Sequence, residues 1–503
     1  MTTTAVGAPS ASMDDWNAID WRHVATEVQR LQIRIAKAVR EKRWGKVKAL
    51  QWLLTHSFYA KLWAVRRVVT NRGKRTPGVD GVVWTTPRQK IAAARSLRRK
   101  GYRPLPLRRI YIPKKNTGKK RPLSISTMKD RAQQALYLLA LSPVAETQAD
   151  PNSYGFRLRR SVADALGQCF IVLARKNSAQ WIFKGDIDAC FDRLSHPWLL
   201  AHIPMDKSIL KQWLEAGYMQ DATFYPTHEG TPQGGIISPV IANMALDGLE
   251  RVAKEAAPPR SKVNVVRYAD DFFTTGSSKE VLEEKIIPAV VSFLAERGLK
   301  ISVEKSKITR IGDGFDFLGA TVRKYNGKLL IKPSKDSLRD FLRRLREFVR
   351  SHRGFSTVEM IRALNRKIQG WTAQYRHLVS SRAFQKIDAD LFWSLWRWAK
   401  RRHQNKGSKW VKAKYFRAQG DRHWIFSARL PSKDRQRLLF PEASTVYLDL
   451  VSASKVPIRR HVKVRGNANP FDPDDADYFR QRRHKQRRNR SLGRSPLSIG
   501  RTS

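Results

Sequence analysis

Hydrophobic residues near the start of the chain recur at helical spacing. Between residues 16 and 70 they fall three or four positions apart with Arg and Lys between them, which predicts basic amphipathic helices. One such series is Val24, Val28, Leu31, Ile35 and Val39. The turn-forming residues of Thr76–Gly81 end this pattern. Two short β-like runs follow at Arg109–Pro113 and Pro122–Ser126, and the polar loop between them predicts a basic hairpin.

The pattern changes twice further along the chain. From about residue 150 to 335, apolar runs typical of strands alternate with helical stretches, which predicts a sheet with helices packed on it. Strands are expected at Trp181–Phe183 and Val263–Val266. Beyond Pro333 the pattern predicts helices with one apolar face and Arg or Lys elsewhere, at Lys335–Arg350 and Phe384–His403.

The charge of the chain narrows the class of its partner. Lys and Arg number 97 against 43 Asp and Glu, a formal net charge of +54. Hydrophobic residues make up 41% of the chain and include 15 Trp, so there is enough apolar material for a core and disorder does not explain the charge. Nucleic acid is the simplest polyanion to neutralise such an excess. An acidic protein or a membrane surface ranks second.

Several other classes are excluded by composition. Because only Cys169 and Cys190 are present, neither a disulfide framework nor a Cys-rich zinc module can form, and both are expected to be buried thiols in a reducing compartment. No apolar run approaches the ~18 residues of a membrane span. Residues 1–15 have neither a basic nor an apolar signal region and are expected to be a disordered lead-in. A cytoplasmic protein without membrane contact is therefore expected.

Two acidic clusters follow apolar strands in this basic chain. They are Asp186, Asp188 and Asp192 after Trp181–Phe183, and Asp270 with Asp271 after Val263–Val266. Adjacent strand residues point to opposite faces, so neighbouring aspartates meet one centre only at a bend such as a hairpin tip. If the clusters lie side by side, Asp186 and Asp270 can share a pair of divalent ions, and oxygen ligands suit Mg²⁺. Turn or helix-cap roles remain the alternative, above all for Asp188 and Asp192.

The order and spacing of these motifs resemble the palm of reverse transcriptases. Tyr268–Asp271 resembles their catalytic hairpin and Asp186–Asp192 the aspartate motif that precedes it. Gly230–Pro239 resembles the Pro-Gln-Gly loop that contacts template and incoming nucleotide. Gly298–Lys307 and Phe315–Gly319 resemble the last two palm motifs. One such motif is weak evidence, whereas five in the same order are strong evidence.

The resemblance extends to bacterial group II intron-encoded reverse transcriptase/maturases, over most of the chain. Arg75–Gly81 is similar to their extra N-terminal motif, Arg109–Leu123 to their fingers hairpin and Ser153–Arg157 to a further fingers motif. Leu364–Arg376 and Trp396–His403 resemble their thumb, or maturase, domain. The implied fold is α+β: a right-hand polymerase with fingers and palm, an all-helical thumb/maturase domain and a basic C-terminal extension.

This resemblance implies an order of domains. Residues 16–150 are expected to form the N-terminal extension and fingers, 151–332 the palm with the remaining fingers, and 333–450 the helical thumb/maturase domain. Residues 451–503 are expected to form a basic, DNA-binding-like segment. Seven of the eleven residues from Arg480 to Arg490 are Arg or Lys, so this end is expected to stay flexible until it meets a phosphate backbone.

The same resemblance implies roles for individual residues. Asp186, Asp270 and Asp271 are implied to bind two Mg²⁺ ions, for which Mn²⁺ can substitute, and Lys305 to protonate the departing pyrophosphate. The residues implied to contact the incoming dNTP are Lys114, Arg121, Phe191, Gln233 and Ile187. Among these, Phe191 matches the side chain that excludes a 2′-hydroxyl. Structural roles stay open for Phe191 as a core aromatic and for Lys114 and Arg121 as part of a solvated basic loop.

The implied function is an RNA-directed DNA polymerase that binds its intron RNA and assists splicing and mobility. Its partners would be group II intron RNA, an RNA template–primer, target DNA and dNTPs. The thumb residues implied to bind nucleic acid are Arg339, Arg343, Arg344, Arg346, Arg350, Lys400, Arg401 and Arg402. Two alternatives remain: a domesticated reverse transcriptase used in defence or spacer acquisition, and an RNA-binding splicing factor without polymerase activity.

The segment from residue 467 to the end departs from the pattern of many relatives. After Asn467–Pro473 they continue into an HNH nuclease with zinc-binding Cys pairs, whereas this sequence turns basic and has no Cys after Cys190. Those zinc ligands are therefore missing. Endonuclease activity is not expected.

Overall fold

The helical spacing of the N-terminal region produces helices, as predicted. The computed structural model of the chain describes residues 15–113, 118, 120–420, 422–430 and 446–491. Asp20 caps the first helix, because its side chain accepts hydrogen bonds from the backbone N–H groups of Arg22 and His23. The helices of this region and of the part that follows are α1 (Trp21–Arg40), α2 (Trp44–His56), α3 (Phe58–Thr70), α4 (Pro87–Ser96), α5 (Met128–Gln148) and α6 (Val162–Leu173).

The described residues divide into two units. The first contains the chain up to Ala165, then Ala179–Thr309 and Val464–Phe479. The second contains Leu166–Ser178, Arg310–Lys463 and the chain from Arg480 onward. The predicted palm–thumb boundary at residue 333 stays a prediction, and the division between the two units falls before it.

The first unit holds the sheet on which the acidic motifs lie. Its strands are β1 (Leu107–Pro113), β2 (Lys120–Ile125), β3 (Trp181–Asp188), β4 (Tyr218–Gln220), β5 (Thr223–Tyr225), β6 (Val265–Tyr268), β7 (Asp271–Gly276), β8 (Lys300–Ile301) and β9 (Lys307–Arg310). Its later helices are α7 (Cys190–Arg193), α8 (His196–His202), α9 (Lys207–Leu214), α10 (Ser238–Leu246), α11 (Leu249–Glu255) and α12 (Ile287–Ala295), which follows a π-helical stretch at Val281–Ile286.

Two sheets form from these strands. The order β2-β1-β4-β5 confirms the predicted basic hairpin, since β1 and β2 are antiparallel. The second sheet has the order β6-β7-β3-β8, with β9 also paired to β3. The strand that carries Asp186 was predicted to end at Phe183. It continues to Asp188, because backbone pairing with β7 and β8 extends through the polar residues.

Two apolar clusters hold the first unit together. One surrounds α5, which is buried along most of its length and packs against α1, α2 and α3. The other lies beneath the β6-β7-β3-β8 sheet and includes the rings of Phe183, Phe272 and Phe293.

The two cysteines are buried free thiols, as predicted. Cys190 lies in the cluster beneath the β6-β7-β3-β8 sheet, whereas Cys169 lies on α6. Burial raises the pKa of the Cys190 thiol to about 12, so that thiol is neutral and unreactive at physiological pH.

From Arg310 onward, the second unit has a small sheet followed by the basic helices. Its elements are β10 (Phe315–Phe317), β11 (Ala320–Tyr325), β12 (Lys328–Pro333), α13 (Lys335–Ser351), α14 (Thr357–Tyr375), α15 (Ser381–Arg402), α16 (Ser408–Tyr415), β13 (Phe416–Gln419), β14 (Arg422–Arg429) and β15 (Tyr447–Asp449). The apolar face predicted for α13 is confirmed, since Phe341, Leu342, Leu345 and Val349 are buried.

The expectation of an all-helical thumb does not hold for the described residues between 416 and 449. There β13, β14 and β15 form an antiparallel sheet. Aromatic and β-branched residues fill the middle of β14, which suits a pleated surface better than a helix, and Gly420 takes a positive φ of 55° at the turn between β13 and β14. The α+β class itself is confirmed.

The C-terminal segment also differs from the expectation of a flexible tail. Residues 476–491 form helix α17 (Ala476–Ser491), because Arg, Gln and Lys are good helix formers. The segment Val464–Phe479 belongs to the first unit, where Asn469 donates a hydrogen bond to Thr147 Oγ1 at 2.9 Å and Arg40 pairs with Asp472. Part of the predicted basic extension is therefore integral to the first unit.

In the part of the chain that the structure describes, no helix combines the length and the apolar character needed to cross a membrane.

Candidate active site and nucleic-acid groove

Strand β3 brings three charged side chains to one face of its sheet. Successive strand residues alternate between faces, so Lys184, Asp186 and Asp188 point one way while Gly185 and Ile187 point into the core. A side chain at position 185 would lie 2.4 Å from the ring of Phe272, so only glycine allows β3 to approach that ring. The face that carries Asp186 is the polar face of the sheet.

The side chain of Ile187, a residue predicted to contact the incoming nucleotide, does not lie on the polar face of β3. It is only 2% exposed and packs in the apolar cluster with Phe183 and Phe272. Alternation along β3 forces this placement, because Ile187 follows the site-facing Asp186. Only the backbone of Ile187 remains for a nucleotide, and its N–H donates to the carbonyl oxygen of Asp270 at 3.3 Å.

Asp270 and Asp271 lie at the tip of a hairpin, as predicted. Ala269 and Asp270 form the turn between β6 and β7, and Ala269 takes a positive φ of 59° that L side chains rarely adopt. In the β3–β7 pairing, Asp186 lies directly opposite Asp271. The bend brings both neighbouring aspartates to the strand end where Asp186 lies.

A buried network supports this hairpin from behind. Arg267, whose side chain is 2% exposed, pairs with Asp247 and donates a hydrogen bond to Asn243 Oδ1 at 3.1 Å. Its backbone carbonyl accepts from the N–H of Tyr154 at 2.9 Å. A side chain at Gly155 would lie 2.5 Å from the backbone nitrogen of Ala269, so this loop and the hairpin are in close contact. Residues 152–155 thus fix the strand that leads into the hairpin.

The pKa values of Asp270 and Asp271 are raised. Burial, together with Asp186 and Asp270 nearby, raises the pKa of Asp271 to about 7. Burial and the charge of Asp186 also raise the pKa of Asp270. One oxygen of Asp271, Oδ1, is buried without a hydrogen-bond partner, and the ammonium of Lys184 lies 3.9 Å from it. A cation at this position would relieve the mutual repulsion of the three carboxylates.

Lys305 lies against the first of these carboxylates. Its ammonium donates to Asp186 Oδ2 at 2.6 Å, and this hydrogen bond raises the pKa of Lys305. The backbone N–H of Asp186 donates to Ser306 Oγ at 3.2 Å, so the same loop contacts the aspartate twice. Among the described residues no group of three or more His, Cys, Asp or Glu forms a ready metal cage. Lys305 holds Asp186 where an ion would otherwise be its partner.

Two aromatic rings meet near the aspartates. Phe191 lies in α7, half-buried, and its ring makes an edge contact with Phe156 at a centroid distance of 6.3 Å. Phe156 is 55% exposed and has a φ of 58°, an outlier for a bulky residue. Phe191 also packs on the apolar cluster, so its ring is partly in the core and partly accessible from the site.

The Pro-Gln-Gly loop is pinned between β2 and α7. Gln233 donates through Nε2 to Asp192 Oδ2 at 3.0 Å, and its carbonyl oxygen accepts from the N–H of Ser124 at 2.8 Å. Gly234 has a φ of 112°, and a side chain there would lie 2.8 Å from the carbonyl oxygen of Ser124. Asp192, for which a capping role was the alternative, therefore positions Gln233. Asp188 instead pairs with Arg193 at 3.3 Å.

The fingers hairpin contributes charge to the site. Arg121 lies on β2, and its positive charge lowers the pKa of Asp270 against the larger effect of burial. Lys114, the other predicted fingers residue, lies outside the described residues. Two residues near the site were missed from the sequence: Lys184, which the period of β3 places on the face of Asp186, and Phe156, whose only signal is its place in the Ser153–Arg157 motif.

In the second unit, two helices line a basic groove. Its walls are Arg346, Arg350 and Arg353 at the end of α13 and in the residues that follow it, and Arg397, Arg401 and Arg402 from the end of α15, with Val349, Ser394 and Trp398 between them. These positions recur at the i, i+3, i+4 and i+7 spacing of one helix face. Arg350, Arg353, Arg397 and Arg401 have no acidic partner within the described part of the chain.

Half of the predicted thumb residues lie in this groove. They are Arg346, Arg350, Arg401 and Arg402, and the groove adds Arg353 and Arg397, which helical spacing from Arg346 and Arg401 would have found. The other four lie elsewhere: Arg339 pairs with Asp336, Arg343 with Glu347, Arg344 donates to the carbonyl oxygen of Asp340, and Lys400 lies over the ring of Trp396. Four mutually repelling guanidinium groups indicate a site for a polyanion.

The fold and the facing carboxylates define a palm-type nucleotidyl transferase with an attached basic helical domain. Three family models match the chain in sequence order. They describe an N-terminal domain of reverse transcriptase over residues 16–97, a reverse transcriptase (RNA-dependent DNA polymerase) over 112–322, and a group II intron maturase-specific domain over 338–416.

Individual relatives agree with these family models. Protein YkfC of Escherichia coli is 31% identical over 301 residues, which cover 51% of this chain and 78% of that protein. The group II intron-encoded protein LtrA of Lactococcus lactis is 34% identical over 196 residues, 37% of this chain and 32% of LtrA, so the match spans about a third of that relative. A solved telomerase from Candida albicans with telomeric RNA aligns over 61% of this chain and 64% of that one, at 14% identity and a TM-score of 0.36.

The chain belongs to the group II intron-encoded reverse transcriptase/maturase family. The assignment rests on the three domains in order and on the YkfC match, not on the distant telomerase structure. Enzymes with this reverse transcriptase domain use divalent metal ions.

Proposed function

We propose that this chain is an active RNA-directed DNA polymerase that also binds group II intron RNA and assists its splicing. The observation that carries the proposal is the placement of three carboxylates, Asp186, Asp270 and Asp271, at one end of the β6-β7-β3-β8 sheet. A splicing factor without polymerase activity has no use for three partly buried, mutually repelling aspartates. Their retention favours catalysis.

The residues present fit a pair of Mg²⁺ ions, with Mn²⁺ as a substitute. Asp186, Asp270 and Asp271 offer hard oxygen ligands, and the buried Oδ1 of Asp271 has no hydrogen-bond partner of its own. When bound, such ions neutralise the charge that develops in phosphoryl transfer. Lys305 must release Asp186 for the carboxylate to act as a ligand, and the 62% exposure of the lysine side chain leaves room for that movement.

The chain's own side chains account for the other requirements of the reaction. Arg121, together with Lys114, is proposed to hold the triphosphate of the incoming nucleotide. Gln233 is oriented by Asp192 and contacts the nucleotide from the Pro-Gln-Gly loop. The hydrogen bond to Asp186 raises the pKa of Lys305, so the side chain is protonated before it leaves Asp186. Once released, its ammonium can donate a proton to the departing pyrophosphate. Positioning and charge stabilisation supply most of the rate.

Phe191 is expected to set the choice of sugar. Replacing it with Ala removes the ring that would occupy the space of a 2′-hydroxyl, so the variant should incorporate rNTPs at least about tenfold better relative to dNTPs, a change of about 1.4 kcal/mol. The measurement is the ratio of kcat/KM for dNTP and rNTP on one RNA template. Phe293→Ala, in the same apolar cluster, is the control for loss of packing.

The control separates discrimination from stability. Both variants remove a large ring from one cluster, so both should lower stability, but only Phe191→Ala should change the sugar ratio. An unchanged ratio in Phe191→Ala would assign the ring to the core alone.

The arginine groove is expected to bind structured RNA through phosphates. Changing Arg350, Arg397 and Arg401 together to Gln should lower affinity for the intron RNA about 10- to 100-fold and reduce the slope of log affinity against log salt by up to about 3, or about 1 for each arginine that no longer neutralises a phosphate. A filter-binding titration at several salt concentrations measures both. The matched control changes Arg339, Arg343 and Arg344 to Gln, which removes the same charge from outside the groove.

The two triple variants distinguish a site from a diffuse charge effect. If the control loses as much affinity as the groove variant, the positive charge acts collectively and the groove is not a site.

Two assays test the proposed function. The purified protein should extend a DNA primer on an RNA template in Mg²⁺ and stop when EDTA is added, and it should accelerate splicing of the cognate intron at low Mg²⁺, where the RNA needs help to fold. Extension without accelerated splicing would favour a domesticated polymerase. Accelerated splicing without extension would leave an RNA-binding splicing factor.

A further inference from the structure

Large aromatic rings are exposed on the second unit. Trp393 on α15 is 57% exposed, Trp424 on β14 is 45% exposed and Trp410 on α16 is 38% exposed. These rings lie in a chain that buries most of its other tryptophans at least in part. Leaving such apolar area in water gives up about 25 cal/mol for each Å². A soluble protein seldom exposes several Trp rings so near each other in sequence without a partner.

Two of these rings belong to one aromatic cluster. Trp424 makes edge contacts with Phe392, Trp396 and Phe416 at centroid distances of 5.7, 5.7 and 5.6 Å, and Trp393 contacts Phe392 at 5.3 Å. We call these five residues the aromatic platform. Trp424 thus packs against three other rings, whereas Trp393 contacts the ring of its neighbour Phe392.

Two lysines lie against tryptophan rings of the platform. Lys412 lies 4.4 Å from the centroid of the Trp424 ring and Lys400 lies 5.8 Å from that of Trp396. Among the described residues between 396 and 424, five Lys or Arg side chains lie over Trp rings. The ordinary frequency is about one in 70–80 residues, so cations and aromatic rings are concentrated here.

We propose that the aromatic platform binds unpaired nucleotides of RNA, with bases stacked on Trp393 and Trp424 and phosphates paired with Lys400 and Lys412. The proposal rests on the proposed function only in taking RNA as the partner. Every base has a flat π face, which stacks on an aromatic ring whatever the sequence. A duplex hides those faces, and RNA is usually recognised at its loops and unpaired segments.

The positive charge of these lysines favours a polynucleotide over an apolar protein as the partner of this surface. An apolar protein partner would have to bury their charges without compensation, whereas a polynucleotide brings one phosphate with each base. The platform also differs from the arginine groove, which lies on the face of α15 that carries Arg397, Trp398 and Arg401. The arginine groove can pair only with phosphate charges of the RNA backbone, whereas the platform can also stack on bases.

The test is a fluorescence-anisotropy titration of the full-length protein with a labelled single-stranded oligo(U) RNA. Trp393→Ala and Trp424→Ala should each weaken this binding about 5- to 100-fold. The slope of log affinity against log salt should not change, because stacking releases no counterions, whereas Lys412→Gln should lower it by about 1. Trp424→Phe should retain most of the affinity, since a ring remains.

Two controls exclude indirect effects. Trp52→Ala removes a ring that is 59% exposed on the first unit and should leave oligo(U) affinity unchanged. Affinity for a fully paired RNA hairpin of equal length should also be the same in Trp424→Ala and wild type. Equal losses for paired and unpaired RNA, or no loss for unpaired RNA, would overturn the proposal. Tighter binding to oligo(dT) than to oligo(U) would also overturn it by assigning the platform to DNA.

Failure of the platform and failure of the proposed function give different results. If wild-type protein extends primers and accelerates splicing but Trp393→Ala and Trp424→Ala bind oligo(U) normally, the platform alone is refuted. If wild-type protein neither polymerises nor accelerates splicing, while the Trp variants lose oligo(U) binding as expected, the proposed function is refuted and the binding site stands.

Discussion

Replacing Asp270 with Asn is expected to abolish primer extension on an RNA template while leaving RNA affinity unchanged. Asn keeps the shape of the side chain but removes the charge that would hold a divalent ion beside Asp186 and Asp271. The loss should reach about a thousandfold in kcat or more, equivalent to about 4 kcal/mol of transition-state stabilisation. Single-turnover extension with saturating protein measures it, and a parallel titration measures RNA affinity.

Asp188→Asn is the matched control for this prediction. Asp188 lies on the same face of β3 as Asp186, but its carboxylate pairs with Arg193 and is exposed. Its replacement should change extension by no more than a few fold. Splicing of the cognate intron should survive in both variants, because it depends on RNA binding and not on the carboxylates. An Asp270→Asn protein that extends primers at a near wild-type rate would refute the catalytic assignment.

Replacing Arg267 with Met is expected to destabilise the first unit by about 3–5 kcal/mol. The substitution leaves Asp247 buried without its ion-pair partner and removes the donor to Asn243. Arg267 lies in β6, directly before Tyr268–Asp271. Loss of its contacts should therefore loosen the catalytic hairpin, and primer extension should fail at a lower temperature than in wild type. Urea and thermal midpoints measure stability. Arg251→Met, which breaks an exposed pair with Glu255, should cost less than about 1 kcal/mol.

The deficit of Arg267→Met should shrink as the pH falls. Burial raises the pKa of Asp247 to about 6, and Arg267 opposes that shift, so the variant should have a higher value still. A carboxyl group whose pKa is raised on folding stabilises the folded state less as pH rises through that pKa, and this penalty disappears when it is protonated. The difference from wild type should therefore be smaller at pH 5 than at pH 8. A deficit independent of pH would mean that lost packing, not the unpaired carboxylate, causes it.

Local pattern was enough to predict many elements of this chain. Period-3.6 spacing predicted the N-terminal helices, α13 and α15, because each buries one stripe of apolar residues against a core. Turn chemistry and alternating runs predicted the fingers hairpin and the hairpin that carries Asp270. The all-helical thumb implied by the resemblance does not hold at β13, β14 and β15, where aromatic and β-branched residues in β14 favour a pleated strand.

Side-chain direction on β3 shows a second limit. The acidic cluster was visible in the sequence, but the strand was expected to end before it, so the alternation that separates Ile187 from Asp186 was not applied. Because the strand extends to Asp188, alternation places Ile187 in the core and Lys184 on the face that carries Asp186. Where the strand ends depends on its pairing partners β7 and β8, which lie far away along the chain.

The sequence by itself determined the class of this protein: the charge that calls for a polyanion, the order of the reverse transcriptase and maturase motifs, and the three palm aspartates. Only the tertiary structure determined which of these side chains lie close together. Near the aspartates, the fold pairs Lys305 with Asp186 and places Phe156 against Phe191. In the second unit, it brings six arginines from two distant stretches of the chain into one groove. It also leaves Trp393 and Trp424 exposed on one aromatic cluster. These contacts join residues that are far apart along the chain, and no local pattern encodes them, because they arise only when separate elements pack against one another.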